Sequence, residues 1–283
     1  MAAPRTHLHM DVEPALAYAR KHALQAFVVA NDDRILSETY DNAFTATSPH
    51  PLFSGTKSFW GVAAVCAQND GLLSLDEPVA DTIGLWSEDP WKRRVTLRML
   101  LALTSGFGFG GLGSAVPTYD RALAMTLKNE PGTTFTYGGI PLQVFGAVLA
   151  RKLSPETPHD YLRRRVLEPA GVNVANWRSL SDGTKPLPTG AFLTARDWLA
   201  YGRHVLRERQ TFDECFIGST ANSRYGLGWW LAPAGAPPDL FYASGSGGQG
   251  MYVAPSQGVV AVHFGKGGSY KHEVFLKRLF ASS

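Results

Sequence analysis

The sequence has little of what marks several protein classes. Only two cysteines occur in 283 residues, Cys66 within the apolar run Val62-Ala63-Ala64-Val65-Cys66 and Cys215 within Phe212-Asp213-Glu214-Cys215-Phe216. Two are too few for a disulfide framework, so both are expected as buried free thiols. No stretch approaches the ~18 continuous apolar residues of a membrane span, and Met1 to His7 lacks the charged-then-apolar pattern of an export leader. A cytoplasmic location is expected unless an export signal has been removed. Lys plus Arg (27) barely exceeds Asp plus Glu (24), and no block of like charge appears. That excludes the electrostatic footprint of a nucleic-acid or lipid-surface binder, and the expected partner is a small molecule. No signal of oligomeric state is present.

Several active-site signatures are missing as well. No serine lies in Gly-x-Ser-x-Gly, which argues against the α/β-hydrolase route to acyl transfer. The eight histidines include no His-Glu-x-x-His, and His7-Leu8-His9 reads as a solvated flank, so no metal is expected. Gly106 to Gly111 and Gly245 to Gly250 both satisfy Gly-x-Gly-x-x-Gly, but the first follows a helix and the second leads into a strand. Neither sits in the strand-to-helix setting of a dinucleotide site, and no cofactor is expected.

With 45% hydrophobic residues, the chain can bury a large core. A short helix is expected over 15–23, then a hairpin of Ala26 to Ala30 and Arg34 to Tyr40 around Asn31-Asp32-Asp33. Phe53 to Gln68 is apolar and ends at the turn Asn69-Asp70-Gly71, a buried helix. Helical periodicity then dominates: Leu97 to Leu103, Tyr119 to Lys128, Val144 to Leu153, His159 to Leu167 and Thr194 to Leu206. Strand-like runs follow at Gly226 to Leu231, Leu240 to Ala243, Gly250 to Ala254 and Val259 to Phe264, before a closing helix, Glu273 to Phe280. Strands at both ends imply an α/β plus α fold: an antiparallel sheet built from both termini and flanked by helices, with an inserted, mainly helical lobe. The expected division is 1–80 with 190–283 for the sheet domain and 81–189 for the helical one.

Ser54-Gly55-Thr56-Lys57 lies where extended Pro49-His50-Pro51-Leu52 gives way to the apolar helix. Residues three apart share a helix face, so the Lys57 amine can reach the Ser54 hydroxyl. A helix N-terminus and burial both disfavour a protonated lysine, and a neutral one can take the serine's proton. An N-capping Ser54 followed by a surface Lys57 fits the same four residues, and about one Ser-x-x-Lys is expected by chance in such a chain. Two companions bear on the choice. Tyr137-Gly138-Gly139 puts a phenol in a glycine-flanked loop, where it could relay a proton or simply anchor the loop. Ala243-Ser244-Gly245-Ser246-Gly247-Gly248-Gln249-Gly250 interrupts strand-like runs with small residues, which suits close approach of a ligand to backbone or a plain turn.

In order and spacing, Ser54 to Lys57, Tyr137 to Gly139 and Ala243 to Gly245 resemble the three motifs of the serine β-lactamase and penicillin-binding-protein superfamily. Gly71 to Val79, Thr96 to Gly106, Leu193 to Trp198 and Tyr225 to Trp230 are similar to its class C branch, with its esterases and amide hydrolases. The glycine run ending in Gln249 looks most like the branch that includes 6-aminohexanoate-dimer hydrolase. The resemblance runs from about Phe27 to the C-terminus. It implies a β-lactamase/transpeptidase-like fold with a site between the lobes, Ser54 as nucleophile, Lys57 as base, Tyr137 as proton relay, and the Ser54 and Ser246 backbone N–H groups as oxyanion donors.

Two departures from the family pattern bear on the substrate. Gly139 stands where the family usually has Asn, which should widen the pocket and remove a donor. Ala243 stands where it usually has Lys or His, which removes the cation expected to hold a substrate carboxylate. Ser244, Gly245, Ser246 and Gly139 are therefore expected to border an acyl-enzyme site for small esters or amides. A β-lactamase or DD-peptidase, or a penicillin-binding sensor acylated once, is the alternative. Trp60, Phe107, Phe109, Trp229 and Trp230 are candidates for an apolar wall, and His263 and His272 for cleft-lining residues.

Overall fold

The computed structural model describes residues 10–281, so His7 and His9 lie outside the described residues. Helix α1 (Glu13–Arg20), with a proline in its first turn, leads into the hairpin of β1 (Leu24–Asn31) and β2 (Ile35–Tyr40). Next come β3 (His50–Pro51), a 3-10 turn over Phe53–Lys57, and α2 (Ser58–Asn69). The middle of the chain is helical: α3 (Leu97–Leu101), α4 (Tyr119–Ala124), α5 (Ile140–Leu153) and α6 (Pro158–Leu162), the last running into a π-helical turn. Short β4 (Asn176–Trp177) and β5 (Ala191–Leu193) precede α7 (Ala195–Arg207), whose N-cap Thr194 accepts from the Asp197 N–H. The chain closes with β6 (Trp230–Leu231), β7 (Phe241–Gly245), β8 (Gln249–Ala254), β9 (Val259–Gly265) and α8 (His272–Leu279).

The main sheet is antiparallel in the order β2-β1-β9-β8-β7-β6, and β3-β5-β4 form a second, small one. Both ends of the chain thus meet in one sheet, with β1 and β9 side by side in its interior. Alternate residues of these strands face two separate cores. Val28, Val262 and Met251 pack with α2 and α7, whereas Phe27, Val29 and Ala261 pack under α1 and α8. Because both faces are covered, β1 reads as a continuous apolar run. Helix α2 is buried from Ser58 to Ala67, apolar all round, and joins the sheet's inner core to that of the helical segment.

Tertiary packing overrides three local expectations. The helix expected over Tyr119 to Lys128 stops at Ala124, because the Lys128 and Asn129 N–H groups donate to the Gly106 carbonyl (2.7 and 3.0 Å). Of the strand expected over Gly226 to Leu231, only Trp230–Leu231 pairs. Its glycines instead serve backbone contact: a Cβ on Gly226 would lie 2.1 Å from the Cys215 carbonyl oxygen, and one on Gly228 2.5 Å from that of Lys57. The helix expected from Phe53 begins as a 3-10 turn, which matters at the site below.

Cys66 and Cys215 are buried free thiols, both pushed up in pKa chiefly by burial, Cys66 to about 11. Neither should react with a thiol-directed disulfide reagent in the native protein, and both should react in guanidinium; rapid native labelling of either one would contradict this packing.

Candidate active site

The Ser54 turn is held from both sides. Before it, His50 and Pro51 pair with β5, and the Leu52 N–H donates to the Ala191 carbonyl (2.9 Å). After it, Gly55 fits against Trp198, where a Cβ would come within 2.8 Å of the indole. Between these anchors Phe53 takes φ +47°, a left-handed conformation that costs a side-chain-bearing residue about 1 kcal/mol or more. In a 3-10 turn, residues three apart eclipse, so Ser54 and Lys57 stack more directly than on an α-helix.

Lys57 is 1% exposed, and its Nζ lies 2.9 Å from Ser54 Oγ, 3.4 Å from the Tyr137 hydroxyl and 3.4 Å from the Pro188 carbonyl oxygen. Among the described residues it makes no ion pair. Desolvation alone lowers its pKa from 10.5 to about 7. A neutral amine has two N–H donors and one lone pair. Pro188 can only accept, the Tyr137 hydroxyl can also accept, and the lone pair is then left for the Ser54 O–H, the nearest of the three.

Pro188 ends a strap whose polar groups are bound by buried side chains. Trp177 Nε1 donates to the Pro186 carbonyl (2.9 Å) and Trp60 Nε1 to that of Leu187 (2.7 Å), while the Leu187 N–H donates to Gln143 Oε1 (2.9 Å). A cavity of about 1160 Å³ lined by His159, Trp177 and Lys185 lies beside this strap and includes none of Ser54, Lys57 or Tyr137.

Tyr137 is held in an aromatic group: Trp230 stacks on it at 5.7 Å and Tyr225 meets it edge-on at 6.2 Å. Burial raises its pKa, opposed by a hydrogen bond with Ser54, so the phenol is protonated near neutral pH. The end of β7 closes against the Ser54 turn, so tightly that a Cβ on Gly245 would sit 2.1 Å from the Leu52 carbonyl oxygen. Ser246, the next residue, is exposed. The structure thus brings Ser54, Lys57 and Tyr137 together, with the β7 end beside them.

Residues 16–270 match the family model described as Beta-lactamase. The chain belongs to the Beta-lactamase family. Membership places it among hydrolases of the serine type, and several solved structures share its fold. EstCE1, a hydrolase with promiscuous acyltransferase activity, superposes with a TM-score of 0.76 at 15% identity, covering 95% of this chain and 98% of that one. A class C β-lactamase from Rhodobacter sphaeroides gives 0.71 at 18% identity over 94% and 97%. A Bacillus anthracis protein assigned as a 6-aminohexanoate-dimer hydrolase gives 0.74 at 17% over 92% and 78%. No curated protein matches the sequence.

Within this family the position of Gly139 is the informative departure, and the structure corrects the expectation of a widened pocket. A Cβ there would lie 1.9 Å from the Gly111 carbonyl oxygen and 2.9 Å from Pro188 Cγ. The Gly139 N–H donates to the Gly110 carbonyl (2.9 Å), and Gly110 and Gly138 form a parallel bridge. The room an Asn side chain would need is filled by a glycine loop. Ala243 is buried in the inner core, and the Ser244 hydroxyl is hydrogen-bonded to His272 Nε2 (2.9 Å) on the α8 side.

Of the five aromatic wall candidates, Trp60, Phe107 and Trp229 are core, Phe109 is exposed on the glycine loop, and Trp230 packs on Tyr137. His263 is core too, stacked on Tyr270 at 4.3 Å, whereas His272 pairs with Ser244 and with the Tyr252 hydroxyl (2.7 Å). The Pro188 carbonyl and Tyr225 were not foreseen as site neighbours, since backbone acceptors leave no mark on side-chain type. Gly139→Asn should destabilise the protein by about 3 kcal/mol or more, because a side chain there meets loop backbone and the Pro188 ring. A melting temperature equal to that of wild type would show that the glycine loop can yield.

Proposed function

We propose that this protein is a serine hydrolase acting through an acyl-enzyme on uncharged small-molecule esters or amides. The observation that carries the reading is the buried Lys57 amine, without a counter-ion, 2.9 Å from Ser54 Oγ. Ser54 Oγ attacks the substrate carbonyl carbon while its proton passes to Lys57 Nζ, which has the burial and pKa of a base working near pH 7. Negative charge on the carbonyl oxygen is met by the Ser54 and Ser246 backbone N–H groups. As the carbon–oxygen or carbon–nitrogen bond breaks, Tyr137 gives its hydroxyl proton to the leaving group and is reprotonated from Lys57. Water then attacks the acyl-enzyme, passing its proton back by the same pair, and releases the acid with Ser54 restored.

The two departures bear on substrate charge. Ala243 offers no cation to a carboxylate, and Gly139 offers no amide to the acyl side chain, so neither feature favours the anionic amides on which β-lactamases act. The family match itself favours β-lactam hydrolysis as the second reading.

A fluorophosphonate should add once to wild type and not to Ser54→Ala, read by intact mass; equal labelling of both would sink the Ser54 assignment. Short p-nitrophenyl esters should turn over faster than a chromogenic cephalosporin, and the reverse order would favour the second reading. A single cephalosporin adduct without turnover would instead mark a sensor.

The pH dependence follows from Lys57. Its base form is needed for attack and predominates above its pKa, so kcat/KM for an ester should rise with pH through a midpoint near 7 and level off above it. A rate independent of pH between about 5 and 9 would exclude Lys57 as the base.

A further inference from the structure

The turn between β7 and β8 contains a buried polar side chain that the mechanism above does not use. Gln249 is 3% exposed. Its Nε2 donates to the Ser246 carbonyl (3.0 Å) and to the Gly265 carbonyl (2.8 Å), and its Oε1 accepts from the Gly265 N–H (3.1 Å). Two carbonyls demand the NH2 group and one N–H demands the oxygen, so only one orientation of the amide satisfies all three partners. Gly265 is the last residue of β9, a buried strand at the sheet's centre. Gln249 thus links the turn directly to a fixed part of the fold.

The turn needs such a link. Gly247 and Gly248 both have positive φ (+82° and +90°) and no side chain, and Ser246 is exposed, so none of the three anchors the turn through a packed side chain of its own. The Gly245 end is held by its pairing with Gln249 and by its contact with Leu52. Beyond the turn, the Gly248 carbonyl accepts from buried His263 Nδ1 (2.7 Å). Ser246 remains between these anchors. With its N-terminal side fixed by the ladder and its carbonyl fixed by Gln249, its N–H has little freedom to swing.

We propose that Gln249 is the positioning residue of the oxyanion site: by binding the Ser246 carbonyl to the end of β9, it keeps the Ser246 N–H directed at the space beside Ser54 Oγ. This rests on the acyl-enzyme reading, because it assigns Ser246 the role given there. Gln249 touches neither substrate nor the reacting atoms. Its effect is confined to the geometry of one donor, which is used more in the tetrahedral state than in the bound ester.

The test uses Gln249→Met, which keeps the side chain's length and removes its hydrogen bonds, and Gln249→Asn, which keeps the amide one methylene short, as a milder second variant. For p-nitrophenyl acetate, kcat should fall by about 10- to 100-fold in Gln249→Met with KM within about threefold, and the Ki of a phenylboronic acid, whose tetrahedral adduct uses the same donor, should rise by a similar factor. The pH midpoint should stay near 7, because Lys57 is not perturbed. Amide exchange by mass spectrometry should speed up over 244–249 and not over 52–60.

A folded Gln249→Met or Gln249→Asn protein with wild-type kcat, Ki and exchange overturns the proposal while leaving Ser54 standing. A loss in which KM and the pH midpoint move together with kcat marks a general structural role and also overturns it. If wild type forms no Ser54 adduct although exchange rises over 244–249, the acyl-enzyme reading fails, and the oxyanion role of Gln249 with it.

Discussion

Everything at the site depends on one amine kept out of water without an opposing charge. A lysine in that position is tolerated only because it can be neutral, and its surroundings are organised to make neutrality sufficient: two acceptors for its N–H groups, one hydroxyl for its lone pair, and an aromatic ring 4.7 Å from Nζ. The strap that presents Pro188 is fixed by Trp60, Trp177 and Gln143, so three buried side chains outside the Ser54–Lys57–Tyr137 group determine where one carbonyl lies. Lys57 also ties function to stability. Its folded pKa lies below that of the unfolded chain, so between about 7 and 10.5 the unfolded state binds more protons and stability increases with pH. Below that range the native state must either carry a buried cation or open.

The sheet supplies the second fixed reference. Its β1 and β9 are interior strands, both its faces are covered, and the end of β7 presses on the Ser54 turn from this buried layer. The left-handed Phe53 is the local cost of this meeting. It turns the chain sharply from β3 into the 3-10 turn, so that Ser54 follows a strand end rather than an ordinary helix start.

Much of this was legible in the sequence, and the boundary has a physical origin. Apolar runs, helical periodicity and turn residues are local signals, and they placed the hairpin β1–β2, the run β7 to β9 and the capped helix α7 close to where they lie. Ser54 and Lys57 were legible for the same reason, since three-residue spacing needs no tertiary contact. The shortened α4 and the missing ladder over Gly226 to Trp229 were not, because each is decided by a backbone partner distant in sequence: Gly106 for the first, Cys215 and Lys57 for the second. Of the two causes expected for the lysine's neutrality, a helix dipole and burial, burial is the one the structure supports. The Gln249 amide was visible as a residue but not as a link, since nothing local connects it to Gly265.

Gly139 and the loop at Gly110 and Gly111 have a historical consequence. With the loop backbone occupying the side-chain space at position 139, the family's usual choice at that position is closed off. An asparagine can enter only if the loop is rebuilt in the same step, because either change alone leaves a backbone collision or an unfilled gap. Descendants of this chain are therefore committed: they can explore new substrates through residues elsewhere around the cleft far more readily than they can acquire the family's usual amide.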